Sequence, residues 1–585
     1  MIGELSPALI VIIGSALTVF FPGGWPRNIF SLAVIALAGY QLHALGLGEY
    51  GQYSLFGETL TLTRIDGLAR IFAVIFLIAM ALNTVYGWWL RDAGQQAVSL
   101  AYPGAALGGV LAGDLVTLFV FWELAAITSV FLIWAGNNER SFGAGMRYLV
   151  WQIGSGVLLL AGIALFYRST GSFAFENFID GGMSLTDPAV LCIFIAFGIK
   201  SAFPLLHNWV QDAYPESTVT GTIILSVFTT KMAVASIARG FAGVEALVYI
   251  GAVMTAFPIF FAVIENDLRR VLTYSLNNQV GFMIVGIGIG TPMALNGAAG
   301  YAFCNILFEG LLFMAMGAVL YRTGTIKGSE LGGLYKTMPL TAFFCIIGAA
   351  SISAFPLFSG FITKGLIISG AAEGHYFWVW MTLLFAAAGV FHHSGIKIPY
   401  FAFFAHDSGK RPDEAPLSML IAMGITAALC VGIGVAQIFT GPEGDPLYAL
   451  MPFEVVIEKS YSPYISYTAP HVLTQMQILF FSGLAFAVLQ KTGLYPPELR
   501  STNLDTDWFY RVPGRVALLG IVGGVVALWR AVWGVTKGLI GGAVNGLYHS
   551  HGPEGRMART WSVGYTALFT AIVLGIALIA VFSVR

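Results

Sequence analysis

Apolar runs of about 20 residues, long enough to cross a hydrocarbon core of about 30 Å as helices, follow one another along the chain with short polar breaks. The windows fall at 8–22, 28–47, 67–90, 97–112, 114–135, 145–167, 187–211, 218–238, 245–263, 272–290, 293–320, 338–373, 376–404, 417–439, 471–491 and 560–583, sixteen in all. The pattern predicts an all-α polytopic membrane protein of about 14–17 transmembrane helices. Two windows, 187–211 and 338–373, are interrupted. The stretch 516–547 holds Arg530 and Lys537 among apolar residues and glycines, which suits either a span or a helix lying along the membrane face. Ala8–Phe21 could pass for a signal-peptide core. Its start is acidic (Glu4) and no small-residue cleavage site follows, so it reads as a retained span.

Between the windows no soluble domain intervenes. The longest polar interval, Gly441–Pro470, is rich in Pro, Tyr, Ser and Glu. From Thr492 the segment TGLYPPELRSTNLDTDWFYR turns polar and aromatic and suits an interfacial connector carrying Trp508 and Tyr510.

The pentapeptide Ser-Ala-Phe-Pro-Leu occurs twice, at Ser201–Leu205 and Ser353–Leu357, once in each interrupted window. Each proline removes a helix hydrogen bond at mid-membrane depth. Freed backbone groups cost several kcal/mol in hydrocarbon unless protein or a water-lined cavity satisfies them. A pair of packing kinks would explain the prolines alone. Duplicated halves, each with a discontinuous helix at an ion site, would explain them together with the polar residues nearby. The reading is therefore two repeated five-helix units, each with a broken helix. Residues 1–96 form N-terminal helices, 97–238 the first unit with its break in 187–211, and 239–404 the second with its break in 338–373. Residues 405–491 add further helices, and 492–585 form a C-terminal extension with a connector, an amphipathic or spanning stretch and a final span.

The composition fits: of 585 residues, 57% are hydrophobic and 10% charged, against about 25% charged in a soluble domain. The net charge of −1 points to no nucleic acid and no acidic partner. The four cysteines, Cys192, Cys304, Cys345 and Cys430, are widely spaced in apolar segments and read as small apolar residues. No His/Cys cluster has metal-ligand spacing, so neither metal nor cofactor is expected. With the first span starting outside, one set of short loops holds eleven Lys/Arg and the other five (Arg64, Arg70, Arg168, Arg239, Lys459), which places the N-terminus outside the cytoplasm.

The few charges inside windows stand out. Glu123 lies in LVTLFVFWELAAITSVFLIW, Lys200 ends LCIFIAFGIK before the first break, Lys231 is central in TIILSVFTTKMAVASIA, and Lys364 follows the second break in SGFITKGLIIS. Each costs about 2.5–3.5 kcal/mol at a helix centre. Snorkelling to the interface accounts for Lys491 and Arg239 at span ends, and poorly for Lys231 and Glu123. Burial makes a lysine release its proton more readily and a nearby carboxylate restores its hold, so a lysine–glutamate pair that forms and separates loads and releases protons. His392 and His393, with Lys397 in the same window, show no third metal ligand; packed polar residues and a proton exit route are the competing readings. GIGIG at 286–290 reads as close helix packing rather than a dinucleotide loop. Asp114 reads as a helix cap, and Asp267–Arg270 as a positive-inside anchor.

These motifs resemble the antiporter-like membrane subunits shared by Mrp cation/proton antiporters, respiratory complex I and membrane-bound hydrogenases. The family pattern of a lysine, then Phe-Pro-Leu-His-x-Trp-Leu-Pro-Asp-Ala, then a second lysine in the next span, is matched by Lys200, Phe203–Leu205, His207, Trp209, Asp212–Ala213 and Lys231. The fifth span's Trp-Glu is matched by Trp122–Glu123, ENDLRRVLTYSLNNQVGFM resembles the Asp-Leu-Lys-Arg signature, and FSGFITK carries the lysine after the second break, Lys364. The likeness covers about residues 65–440 and is greatest to the D-type subunits of Mrp antiporters. It implies that Glu123 and Lys200 form a charge pair, that Lys231 relays protons, that Lys364 leads to the opposite side, and that His207 takes part. The eleventh span departs from the family: Tyr301, Asn305 and Glu309 stand on one helical face where histidines and a lysine are usual. Glu309 either passes protons in the lysine's place or marks a copy whose central relay is altered. The C-terminal extension is similar to the lateral helix and final span of the longest complex I subunit.

The expected function is a proton-translocating subunit of a multisubunit Mrp-type Na+/proton antiporter in the cell inner membrane, an ion transporter rather than an enzyme, working in a bilayer beside other antiporter subunits. A subunit of a complex I-like or hydrogenase assembly and a non-translocating scaffold copy are the alternatives.

Overall fold

The computed structural model of the chain describes residues 4–55, 57–453, 464–496, 503–553, 555 and 562–583. Lys459 and parts of the 441–470 and 492–511 segments lie outside them. Each of the sixteen apolar windows holds a helix. In order they are α1 (Pro7–Thr18), α2 (Trp25–Leu45), α3 (Gly67–Tyr86), α4 (Ala93–Leu111), α5 (Leu115–Trp134), α6 (Glu139–Thr170), the broken pair α7 (Pro188–Lys200) and α8 (Asn208–Ala213), and α9 (Val219–Gly240). There follow α10 (Glu245–Ile264), α11 (Leu268–Ile289), α12 (Pro292–Thr323), the second broken pair α13 (Pro339–Ile352) and α14 (Ser359–Glu373), α15 (Phe377–Val390), α16 (Leu417–Thr440) and α17 (Ala469–Thr492). Among the described residues twelve helices are long and apolar enough to cross a membrane. The protein is an all-α multi-pass membrane protein. α9 and α12 are enclosed, with 94% of their apolar windows buried; they carry Lys231 and Glu309.

Residues 1–503 and 504–585 form two compact units. In the second, the ambiguous stretch is one continuous 37-residue helix, Arg515–His551. At about 1.5 Å per residue it is about 55 Å long, more than a straight span needs. Arg530 and Lys537 on it are exposed. A final helix, Val563–Ser583, follows.

One element departs from the all-helical expectation. β1 (Gly48–Leu55) and β2 (Glu58–Ile65) pair antiparallel as a hairpin, with Gly48 opposite Ile65. Alternating Thr and Leu in Thr59–Thr63 give β2 its two-residue period, too short to register in a search for spans. Thr61 holds the hairpin to the bundle: its N–H donates to Asp114 Oδ2 at 2.8 Å and its carbonyl accepts from Gly113 N at 3.1 Å. Asp114 also caps α5 through Thr117 N at 2.7 Å, as its position suggested.

The internal duplication extends well beyond the pentapeptide. Asp114 caps the second helix of one unit and bridges Ala174; Asp267 caps the second helix of the other and bridges Lys327. Both broken helices end alike. Ala202 and Ala354 take left-handed φ of 60° and 56°, and Leu205 and Leu357 take 70° and 79°. Phe203 N donates to Gly198 O at 2.9 Å and Phe355 N to Ala350 O at 3.0 Å. Each half-helix therefore closes on a Schellman-type turn with alanine in place of the usual glycine. That left-handed strain is of the kind that persists only where surrounding structure holds it. Here the hold includes the neighbouring helix: a Cβ on Gly434 of α16 would meet Leu357 O at 2.3 Å and Phe358 Cα at 2.4 Å.

Helix packing follows the small residues. Gly288 of α11 lies so close to α10 that a Cβ would meet Val248 N at 2.5 Å, the tight approach expected of GIGIG. Arg239 at the end of α9 does not snorkel. It clamps Asp66 with two bonds of 2.6 and 3.0 Å, and Arg64 approaches the same carboxylate at 3.4 Å. Asp66 meanwhile caps α3 through Ala69 N at 2.8 Å. Burial raises the Asp66 carboxyl, but the Arg239 hydrogen bond and charge, Ala69 N and Arg64 together hold it below its ordinary value of 3.8.

Two outcomes follow. Gly434→Ala destabilises the purified protein by about 1–3 kcal/mol, because backbone and not a flexible side chain blocks the new methyl. Gly432→Ala, with nothing within 4 Å, does not; thermal melting in detergent compares them. The folded state holds the Asp66 proton less tightly than the unfolded chain. Its contribution is therefore complete above the unfolded value of 3.8 and is lost as pH falls through the lower folded value. Asp66→Asn removes this acid-dependent loss, which melts recorded between about pH 7 and 3 would display.

Candidate functional site

At the first break, α7 ends on Lys200 and the chain turns into α8. Lys200 is fully buried, and its Nζ donates to the carbonyl of Trp122 on α5 at 2.6 Å while lying 4.5 Å from the centroid of the same indole. Trp122 is fixed in turn: its Nε1 donates to Ser155 Oγ at 3.0 Å, and Ser155 donates to Ala196 O on α7 at 2.7 Å. The next residue along each helix makes the other half of the fit. Glu123 lies against Gly156, whose missing side chain leaves room for Oε1: a Cβ there would fall 1.5 Å from that oxygen. Glu123 is only half-buried, although Oε1 itself is enclosed and accepts no hydrogen bond. It and Lys200 feel each other's charge without bonding directly. The expected pair is thus a neighbouring pair, with the backbone of Trp122 standing where a carboxylate oxygen was anticipated.

At the centre, Lys231 of α9 and Glu309 of α12 form a fully enclosed ion pair at 3.8 Å. Lys231 Nζ also donates to Ser226 O at 2.9 Å. Asn305 Nδ2 donates to Glu309 Oε2 at 2.8 Å, and Tyr301, a further turn back, donates its hydroxyl to Gln279 Oε1 on α11. Tyr301, Asn305 and Glu309 lie at four-residue spacing and so cover about 12 Å of one face of α12.

At the second break, Lys364 of α14 donates to Ile352 O at 3.2 Å, the last carbonyl of the broken half-helix α13. Such terminal carbonyls lack helical partners and carry the negative end of the helix dipole. The Lys364 ammonium is 4.8 Å from the Phe282 ring centroid and 5.6 Å from that of Tyr301. Lys364 thus meets one end of the α12 face whose other end pairs with Lys231.

The remaining expected residues divide. His393 is buried in a π-helical turn, Phe391–Lys397, where its Nδ1 pairs with Ser394 Oγ at 2.8 Å and Ser394 donates to Ser275 at 2.9 Å. His393 lies within electrostatic range of Lys364. His392 points elsewhere, stacked at 5.5 Å on Tyr495. Lys397 donates to Ala262 O, Val263 O and Glu265 O, so it caps the C-terminal end of α10. His207 is buried at the first break with its ring 4.6 Å from Phe257. Among the described residues no group of three His, Cys, Asp or Glu is placed to hold a metal ion.

The polar groups flanking Lys200 and Lys231 escaped the sequence. Tyr102 of α4 and Thr229 of α9 share a 2.6 Å hydroxyl contact. Tyr148 bonds Ser129 at 2.8 Å, and Tyr148 and Tyr214 both pack against Trp209, with ring centroids 5.5 and 5.7 Å from its own. Gln152, one turn along α6 from Tyr148, is fully buried with neither end of its carboxamide bonded. Glu309 Oε1, Asn305 Oδ1 and Thr230 Oγ1 are likewise enclosed and unbonded. Buried polar atoms are ordinarily hydrogen-bonded, and this series gathers on α6, α9 and α12. Tyrosine and threonine are too common in apolar spans to announce such contacts. Only Tyr148 and Gln152, four apart on one face of α6, were within reach of a sequence pattern.

Residues 112–434 match the family described as NADH:quinone oxidoreductase/Mrp antiporter, TM. The chain is 26% identical over 492 residues to the A/B component of a probable K(+)/H(+) antiporter of Rhizobium meliloti, covering 76% of this chain and 49% of that one. It is 29% identical over 313 residues to the D component of a Na(+)/H(+) antiporter of Alkalihalophilus pseudofirmus, covering 51% of this chain and 63% of that one. It therefore spans about half the length of the first relative and under two thirds of the second. Among solved structures, it shares the fold of one chain of a membrane-bound sulfane sulfur reductase, an archaeal respiratory membrane complex. The TM-score is 0.70 at 24% identity, over 98% of this chain and 99% of that one.

Gly156→Ala expels the Glu123 carboxylate from its seat on α6 by about 2 Å, the shift that restores van der Waals contact. A structure of the variant reads the displacement, and Gly154→Ala, with open space around it, leaves Glu123 in place.

Proposed function

The chain belongs to the NADH:quinone oxidoreductase/Mrp antiporter transmembrane family, and on that basis we propose that it is the proton-translocating subunit of a multisubunit Mrp-type antiporter exchanging protons for sodium or a related monovalent cation. The observation that carries this reading is the enclosed Lys231–Glu309 pair. Two opposite charges 3.8 Å apart attract by about 4 kcal/mol at an effective dielectric constant of about 20. Separating them leaves each charge uncompensated in a medium that does not solvate it. The inexpensive response is to move a proton, so the pair exchanges charge whenever its geometry or its neighbours change.

The role of each residue follows from its place. Glu123 and Lys200 load the first position, with Glu123 half-open to the surroundings. Gln152, Tyr148 and the Tyr102–Thr229 hydroxyl pair lead toward Lys231, since hydroxyls both donate and accept and can pass a proton on. Glu309 takes the lysine's place in the relay rather than ending it, and Asn305 and Tyr301 continue along α12 to Lys364. His393 and Ser394 lie beyond. His207 stays at the first break as a further relay group, whereas His392 and Lys397 act in packing and capping. The protein works beside other antiporter subunits in a cell inner membrane, with its N-terminus outside the cytoplasm. No cofactor enters this scheme.

A second reading, membership of a redox-driven complex, is favoured by one observation: the sulfane sulfur reductase chain matches this one over nearly the full length of both. Identification of the partners in the purified native complex separates the two, since redox-active partners would select the second.

The relay itself is tested in vesicles holding the intact complex, by cation-dependent dissipation of a pH gradient. Lys231→Ala and Glu309→Ala each reduce exchange by at least about tenfold, equivalent to about 1.4 kcal/mol or more. Glu309→Asp retains part of the rate. Undiminished exchange in Lys231→Ala would sink the proposal.

A further inference from the structure

α17 lies largely open to its surroundings, with 17% of its apolar window buried. Three of its residues are enclosed, Gln475, Leu479 and Phe486. Gln475 is the polar one, and a carboxamide is costly in hydrocarbon unless it is hydrogen-bonded. It also lies beyond residue 434, where the match to the family ends.

The partner of Gln475 is in the second break. α13 closes with Ser353 N on Ala349 O at 3.2 Å, Phe355 N on Ala350 O at 3.0 Å and Ala354 N on Ser351 O at 3.1 Å. The turn thus answers three of the carbonyls left over at a helix end. The next two are taken from outside. Lys364 Nζ donates to Ile352 O at 3.2 Å, and Gln475 Nε2 donates to Ser353 O at 3.0 Å. Donors from two helices therefore divide one pair of consecutive carbonyls between them.

Anchors on either side keep Gln475 in place. One turn earlier on α17, His471 stacks on Phe361 at 4.4 Å and donates from Nδ1 to Ser466 O at 2.8 Å. Its ring rests on α14 at Gly365, the residue after Lys364: a Cβ there would meet His471 Cε1 at 2.4 Å. Tyr467 secures the far side of the turn, accepting from Leu357 N at 3.1 Å and donating to Gly434 O on α16.

An ammonium group has three hydrogens, and Lys364 has one carbonyl acceptor. Were Ser353 O free, Lys364 would bond to both carbonyls. A second bond to its charged form would make it hold its proton more firmly. We propose that Gln475 is a positioning residue for the relay: it occupies Ser353 O and so confines Lys364 to the single acceptor Ile352 O. This inference rests on the relay reading above. A residue outside the matched family segment thereby sets how readily Lys364 gives up its proton. The titratable groups around Lys364 are Tyr301 on α12, His393 in the π-helical turn and His471 on α17; none of them is altered in the test.

Gln475→Met removes the donor and keeps the volume. A structure of the intact complex carrying it shows Lys364 Nζ bonded to Ser353 O as well as Ile352 O. A firmer hold means that the lysine empties at higher pH, so in the vesicle assay the limb on which exchange rises with pH moves up. The shift is at least about half a pH unit, the effect of about one added hydrogen bond to the ammonium. Gln475→Leu gives the same shift and decides the matter should Gln475→Met fail to assemble. Tyr467→Phe loosens the same turn without freeing Ser353 O, so it lowers the melting temperature and leaves the pH profile where it was. An unmoved Nζ, an unmoved profile in the Gln475 variants, or an equal shift in Tyr467→Phe would each overturn the assignment; the last would mean that Gln475 only anchors α17. The structural readout needs no transport. Undiminished exchange in Lys231→Ala faults the relay, whereas an unmoved profile in a complex that Lys231→Ala does stop faults Gln475 alone.

Discussion

A charge placed in hydrocarbon must be paired, hydrogen-bonded or neutralised, and the centre of this protein is built around that requirement. Lys200, Lys231 and Lys364 are all enclosed, and each meets it differently. Lys200 has a backbone carbonyl and an indole face, Lys231 a carboxylate and a carbonyl, and Lys364 the carbonyl end of a broken helix with two aromatic faces. Only the middle lysine has a full counter-charge in contact. The three lysines therefore meet unequal surroundings, the condition on which the proposed proton relay rests.

The broken helices supply part of that environment. A continuous helix satisfies its own carbonyls, whereas one that stops mid-span exposes those of its last turn. In the second copy that turn supplies Ile352 O to Lys364. In the first, the turn ends on Lys200 itself, and Trp209 Nε1 takes Ile199 O at 2.9 Å. The same strained turn therefore does different work in the two copies: one offers a carbonyl to an incoming lysine, the other presents its own. Duplication provided the frame, and side-chain divergence gave each half its place in the sequence of positions.

Much of this was legible in the chain. The spans are written in runs of apolar residues, the breaks in a repeated pentapeptide, and the principal charges in their cost, since a lysine at mid-span has no packing reason to be there. The face of α12 carrying Tyr301, Asn305 and Glu309 follows from four-residue spacing. The hairpin was not legible as a span, because its alternation is short and half polar. The Tyr102–Thr229 contact was not legible either, because it depends on which faces of α4 and α9 meet.

The amino-acid sequence by itself determined which segments enter the membrane and which charges go with them, because hydrophobic periodicity and the expense of burying charge act locally along the chain. The tertiary structure alone decided the partners. Glu309 answers Lys231, Trp122 rather than Glu123 receives the Lys200 hydrogen bond, and Lys397 donates to the carbonyls that end α10. Those outcomes depend on which helix faces which at distances of a few ångströms, and no pattern within a single segment records them.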